Sequence, residues 1–208
     1  EARKALQRAL DRYRPYSYWK LVDGRMLLDG GTGNGSVGLS KEGTDWTDYT
    51  FRADVVPRQT GGGDTYAQVG LVFRARDEGS GYIWLLSNFP YTTPPAPGYL
   101  SKAVFVDGDL ASVESAPLDI AITAETTYRV EITVSGATLR THIDGVEVDV
   151  TTDTTFARGR VGFRQAGRET GIVDNVEVED ARGNLLLTDD FSDGLAKWDP
   201  PMADGHPS

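Results

Sequence analysis

The feature that most constrains this 208-residue chain is the stretch 127–179, which reads as successive strands with a two-residue alternation. Tyr128, Val130, Ile132 and Val134 alternate with Arg129, Glu131 and Thr133. After Ser135-Gly136 the pattern resumes with Leu139, Thr141 and Ile143, turns at Asp144-Gly145, and continues through Val146, Val148 and Val150. Successive side chains of a strand point to opposite faces, so this spacing describes strands with one face buried. Asp-Gly between two such runs is a strong hairpin signal, because it accepts the positive φ angles of a type I′ turn. Two further strands are expected near Gly159–Gln165 and Gly171–Glu179.

The same reading extends upstream. Trp19–Asp23, Arg25–Asp29, Ser36–Ser40 and Asp48–Val56 read as strands, with Asp23-Gly24 and Asn34-Gly35 as turns. Tyr66–Arg76 and Gly81–Ser87 form a pair joined by Asp77-Glu78-Gly79-Ser80. Val69, Leu71, Phe73 and Ala75 share one face of it, and Gln68, Gly70, Val72, Arg74 and Arg76 the other, which is expected to look outward or into a groove. Residues 88–99 carry four prolines and are expected to be irregular. Residues 1–14 place Leu6, Leu10 and Tyr13 on one face of a helix that Pro15 ends. The expected organisation is therefore a connector helix over 1–15, a β-sandwich over 16–192, and a tail or the start of another module over 193–208.

Composition narrows the functions. The net charge of −10 disfavours nucleic acid, whose phosphates it would repel. There is no cysteine, which removes thiol catalysis, thiolate metal sites and disulfides. No apolar run approaches the roughly 20 residues that span a bilayer as a helix, so no membrane partner is expected. No G-x-S-x-G, H-E-x-x-H or phosphate-loop motif occurs. His142 and His206 are the only imidazoles, and the nearest approach to a paired-acid strand motif is Glu177-Val178-Glu179-Asp180.

Four segments resemble the rhamnose-binding carbohydrate-binding module of bacterial α-L-rhamnosidases, within the concanavalin A-like lectin superfamily. They are VGLVFRARDEGSGYIWLLS at 69–87, YLSKAVFVDG at 99–108, FARGRVGFRQAGRETGIVDNVEVED at 156–180 and LLLTDDFS at 185–192. The chain departs from that pattern at Gly81-Tyr82-Ile83-Trp84 and at Leu100-Ser101-Lys102. The resemblance implies an all-β jelly roll of two antiparallel sheets, no catalysis, and a calcium ion that helps hold a terminal sugar, with L-rhamnose the expected ligand. It further implies a secreted or cell-surface module, monomeric and joined to other domains of a glycoside-degrading enzyme.

Sugar recognition needs aromatic surfaces for C–H faces and directional polar groups for hydroxyls. The expected sugar-binding residues are Arg74, Arg76, Tyr82, Trp84, Asn88, Tyr91, Tyr99, Lys102, Arg164 and Gln165. Trp84 lies mid-strand, where a core role is an equal alternative. Calcium takes six to eight oxygen ligands, and Asp77, Asn88, Asp174 and Asn175 are the expected ones, with Asp189-Asp190 nearby as further carboxylates. Two other readings stand beside the binding module: a glycoside hydrolase or lyase on the same sandwich, and a structural or adhesion domain that packs against neighbouring modules.

Overall fold

A computed structural model describes residues 19–28, 35–59, 66–90, 93–166 and 170–201. Those residues form fifteen strands and, among them, no helix; the helix expected over 1–14 lies outside the described residues. In chain order the strands are β1 (Trp19–Val22), β2 (Arg25–Leu28), β3 (Ser36–Ser40), β4 (Tyr49–Gln59), β5 (Ala67–Asp77), β6 (Ser80–Ser87), β7 (Gly98–Val106) and β8 (Asp109–Leu118). They continue as β9 (Tyr128–Ser135), β10 (Thr138–Ile143), β11 (Val146–Thr152), β12 (Arg160–Gln165), β13 (Gly171–Asp180), β14 (Leu185–Asp189) and β15 (Trp198–Asp199).

Every pairing is antiparallel, and the strands form two leaves. The first runs β1-β2-β13-β4-β9-β10-β11. The second runs β15-β3-β12-β5-β6-β7-β8. β4 belongs to both: its length lies between β13 and β9, while Arg58 and Gln59 at its end pair with Gln68 and Ala67 of β5. The two leaves are thus one curled sheet. β2 pairs with the first residues of β13 and β14 with the later ones, Val176–Glu179, so the C-terminal LLLTD strand takes a place in line with an N-terminal one. Asp23-Gly24, Asp107-Gly108 and Asp144-Gly145 all have positive φ at both residues, which is the type I′ geometry whose twist matches the strands it joins.

The core between the leaves is aromatic. Trp19, Phe51, Phe73, Tyr82, Trp84, Phe163, Phe191 and Trp198 are all buried there. Trp19 and Trp198 meet edge to face at 5.8 Å, and Phe73 meets Trp84 at 4.8 Å, spacings at which such pairs add to the burial term. The expected boundary at residue 192 falls inside this packing: Leu195 and Trp198 are buried, and Trp198 Nε1 donates to Asp189 Oδ2 at 2.8 Å.

The outer faces differ. That of the first leaf is a charge ladder, in which Arg52 meets Glu131 and Glu179 at 2.6 and 2.7 Å, and Arg129 meets Asp54 and Glu177 at 3.2 and 2.5 Å. That of the second leaf is apolar. One row of paired residues, Leu39, Gly162, Val72, Ile83, Ala103 and Val113, crosses six strands. Its neighbours Val37, Ala75, Leu85 and Phe105 complete a second hydrophobic cluster, separate from the core.

Candidate functional site

A groove of about 400 Å³ opens on that outer face, at the low end of the range of about 300–1,000 Å³ common for small-molecule sites. Val37, Ile83 and Phe105 supply apolar lining, Arg164 a cation, and Glu78 a carboxylate. Strand register explains the assembly: Arg164 pairs with Val37 on one side and Gly70 on the other, while Ile83 pairs with Val72 one row away. The tips of two hairpins, Glu78-Gly79 and Gly108, close one end, where Gly108 N donates to Gly79 O at 2.9 Å. The Arg164 guanidinium carbon stands 6.0 Å from the centre of the Phe105 ring, within cation–π range. Gly35, at φ +86°, lies against the same guanidinium; a Cβ there would sit 2.6 Å from Nη2. Glu78 also lies 3.7 Å from Arg160, which in turn meets Asp199 at 3.7 Å.

Of the ten expected sugar-binding residues, Arg164 lines this groove. Six others are structural. Tyr82 is buried in the core, where its hydroxyl donates to Asp153 Oδ1 at 2.6 Å and accepts from Phe156 N. Burial, with the bond to Asp153, pushes its phenol up to about 12. Trp84 takes its core alternative, and its Nε1 reaches Thr141 Oγ1 on the opposite leaf at 3.2 Å. Tyr99 is buried and its hydroxyl accepts from Ala96 N at 2.6 Å. Gln165 is buried and accepts from Trp19 Nε1 at 2.8 Å. Lys102 points between the leaves, with Nζ 2.8 Å from both Asp149 Oδ1 and Thr151 Oγ1.

Arg74 is the sharpest correction. A bulge between Phe73 and Asp77, with Arg74 itself at φ +46°, reverses the alternation. Arg74 therefore turns inward at 1% exposure while Ala75 turns outward into the second cluster. Its guanidinium donates to the carbonyls of Thr47, Gly136 and Phe156. Burial is the main force that lifts the Tyr49 hydroxyl well above its ordinary pKa, while that hydroxyl accepts from Arg74 N at 2.8 Å.

Arg76 stays exposed, bound to Asp77, Asp107 and Ser80 beside the hairpin tips. Asn88 spends its side-chain oxygen on Ala67 N at 2.7 Å. Tyr91 lies outside the described residues.

The expected calcium ligands do not converge. Asp77 and Asn88 flank opposite ends of β6, whose seven residue steps alone span roughly 23 Å at 3.3 Å each. Asp77 accepts from Gly79 N and from Arg76; partial burial pushes its carboxyl up, but the bonds from Arg76, Ser80 and Gly79 outweigh this and hold it below the ordinary value. Asp174 accepts from Asn175 N, and Asn175 donates to Asp54. Asp189 accepts from Phe191 N and Trp198, and Asp190 from Ser192 N. Among the described residues, no three His, Cys, Asp or Glu side chains gather around a point that could hold a metal. Asp77 and Asn88 therefore do not share one site.

No protein-family model matches the chain, and no curated protein matches it by sequence. Solved structures do match. The carbohydrate binding module CBM66 from Bacillus subtilis aligns over 79% of this chain and 92% of its own, with a TM-score of 0.63 and 20% identity. The exoplasmic/lumenal domain of VIP36, in a Ca²⁺/Man-bound form, aligns over 92% and 90%, with a TM-score of 0.59 and 10% identity. The carbohydrate recognition domain of Emp47p aligns over 79% and 86%, with a TM-score of 0.56 and 15% identity. The chain shares the β-sandwich fold of these domains. At these identities the likeness is one of fold.

The sandwich also fixes the surroundings of the nearest acidic motif, Glu177-Val178-Glu179-Asp180. β13, which carries it, lies between β4 on one side and β2 with β14 on the other. Glu177 and Glu179 are bound by Arg129 and Arg52. His142 lies on the outer face between Glu131 and Glu147, 3.8 Å from each.

Sequence reasoning missed Val37, Ile83, Phe105, Gly35 and Glu78. Ile83 was within reach, since β5–β6 pairing puts it opposite Val72 on the outward face. Phe105 carries no local signal beyond its place two residues before the Asp107-Gly108 turn.

Proposed function

We propose that this lectin-like sandwich is a non-catalytic carbohydrate-binding domain that holds a terminal sugar unit in the groove between Val37, Ile83, Phe105 and Arg164. One observation carries the reading: the groove sets an apolar and aromatic floor beside a guanidinium fork. Those are the two surfaces a pyranose presents in reverse, a C–H face and a rim of hydroxyls. The likeness in fold to a carbohydrate binding module and to two lectin-type domains supports it.

L-Rhamnose is the neutral sugar that the sequence resemblance nominates, and its C6 methyl suits the Ile83 and Val37 floor. Binding by so shallow a site is weak, with Kd on the order of 10⁻⁴ M. The corresponding role is that of a secreted or cell-surface monomeric module that keeps a glycoside-degrading enzyme near its polysaccharide by raising effective concentration.

Calorimetric titration with L-rhamnose and a panel of hexoses tests the reading. Saturable heat that Phe105→Ala abolishes supports it. Saturable heat untouched by Phe105→Ala and Arg164→Gln moves the site elsewhere, and turnover of any glycoside by the purified chain overturns the non-catalytic assignment.

A further inference from the structure

We propose that the segment following Pro201, residues 202–208, folds back into the groove and fills its Val37 end with the side chain of Met202. The segment thereby competes with the sugar that the groove holds. The docking stands on the chain path and the groove alone; the competition rests on the carbohydrate reading above.

The path of the chain carries the argument. β15 runs antiparallel to β3, with Trp198 opposite Ser40 and Asp199 opposite Leu39. Continued in that direction, the chain passes Gly38 and comes level with Val37, Ser36 and Gly35, all of which line the groove. Pro201 has already arrived there. It lines the groove itself, and a Cβ on Gly38 would lie 2.7 Å from its Cδ, so a side chain at that position would push the proline away. Residues 202–208 lie outside the described residues, and the groove wall is therefore the last described point of the chain. Met202 follows one peptide bond later, about 3.8 Å from Cα to Cα.

The sequence supplies both direction and occupant. Pro200-Pro201 confines Asp199 and Pro200 to extended backbone and favours a polyproline II path of three residues per turn. Asp199 takes the outer face, where it meets Arg160 at 3.7 Å. One turn later, residue 202 returns to that face. Methionine is unbranched, apolar and polarisable, which suits an irregular groove lined by Val37, Ile83 and a phenyl ring. Ordering the segment costs less because two prolines have already restricted the chain that leads into it. Extended at about 3.1 Å per residue, the seven residues MADGHPS reach about 22 Å. From β3 to β7 the sheet takes four strand spacings of about 4.8 Å, or about 19 Å. The segment is thus long enough to cross the groove from Val37 to Phe105.

The experiment labels the methionine methyls of the full chain with ¹³C for nuclear magnetic resonance. The sequence has two methionines, Met26, which is fully buried in the core, and Met202. Met202→Ala assigns the second signal by removing it. The Met202 methyl is expected upfield of free methionine, with nuclear Overhauser contacts to the Val37 and Ile83 methyls, and Phe105→Leu moves it toward the free position by deleting the ring. Should Phe105→Leu fail to fold, the Val37 and Ile83 contacts still decide. Met202→Asp places a charge against the apolar floor. By calorimetry it is expected to bind L-rhamnose, or whichever hexose of the panel binds best, about fivefold more tightly than wild type, the factor for a groove that the segment fills about four-fifths of the time. A Met202 methyl at the free position, without contacts, overturns the inference. So does a shift that grows with protein concentration, since a second copy then supplies the occupant. A docked methyl with sugar affinity unchanged in Met202→Asp overturns the competition. A docked methyl with no heat from any sugar, in wild type or in Met202→Asp, upholds the docking and overturns the carbohydrate reading.

Discussion

Lys102 on β7 reaches across the sandwich to Asp149 on β11, Nζ to Oδ1 2.8 Å, with both side chains at or below 10% exposure. The bridge fastens β7, one strand in from the edge of its leaf, to β11, the edge of the other. Lys102→Met leaves Asp149 buried without its partner and is expected to cost about 3 kcal/mol in urea unfolding. Lys102→Met with Asp149→Leu restores most of it, because the charge that stayed behind is gone. Sugar titration of either variant stays at wild-type affinity, since neither residue lines the groove.

Arg74→Met removes the donors for the carbonyls of Thr47, Gly136 and Phe156. Of these acceptors the Phe156 carbonyl is buried, and leaving it unpaired costs about 1–3 kcal/mol, so a loss of at least about that size is expected by chemical denaturation. A change within 0.5 kcal/mol of wild type contradicts the inward placement.

Trp198→Ala is expected to cost about 3–5 kcal/mol, because the ring packs on Trp19, Phe163 and Phe191 and also donates to Asp189. A melting temperature unchanged by this substitution would return residues 193–199 to the status of a tail.

Asp153 gives the molecule an acid limb. Partial burial is the largest influence on its carboxyl and pushes it up, but the Tyr82 hydroxyl and Thr155 outweigh it, so the folded-state pKa lies below the ordinary 3.8. Because the folded value is depressed, the stability it confers is fully present above about pH 4 and is lost as pH falls through the folded pKa. Asp153→Asn is expected to flatten the melting temperature between about pH 4 and pH 2, and an unchanged slope there refutes the assignment.

Chelation provides a fifth check. With Asp77, Asn88, Asp174 and Asn175 each engaged with neighbours and apart from one another, EDTA is expected to shift neither melting temperature nor sugar affinity. A shift of several degrees that calcium reverses would place a metal on these residues after all.

What the sequence made legible was local. The Asp-Gly turns, the alternation of β9 to β11 and the inward set Val69, Leu71 and Phe73 all follow from neighbours a few residues apart. The misses have long-range causes. Lys102, Gln165 and Trp84 found polar partners 47, 146 and 57 residues away, so nothing nearby in sequence distinguishes them from ligand-binding side chains. Arg74 was misassigned because a single left-handed residue inverts the parity that the alternation otherwise dictates. β8 escaped notice because DLASVESAPL is small and polar, as suits an edge strand that is exposed over most of its length. The groove draws on β3, β6, β7 and β12 and on two turn tips, and no window of sequence contains it.

The sharing of β4 between the leaves has a consequence for how the protein fails. In a sandwich of separate sheets, one could slip or peel while the other held. Here the register of β4 with β13 and β9 fixes where its last residues meet β5, so a slip in one leaf drags the seam of the other. The sandwich behaves as a single hinged sheet with its fold line at Arg58-Gln59, and the amide hydrogens along that line are expected to open only when the whole domain does.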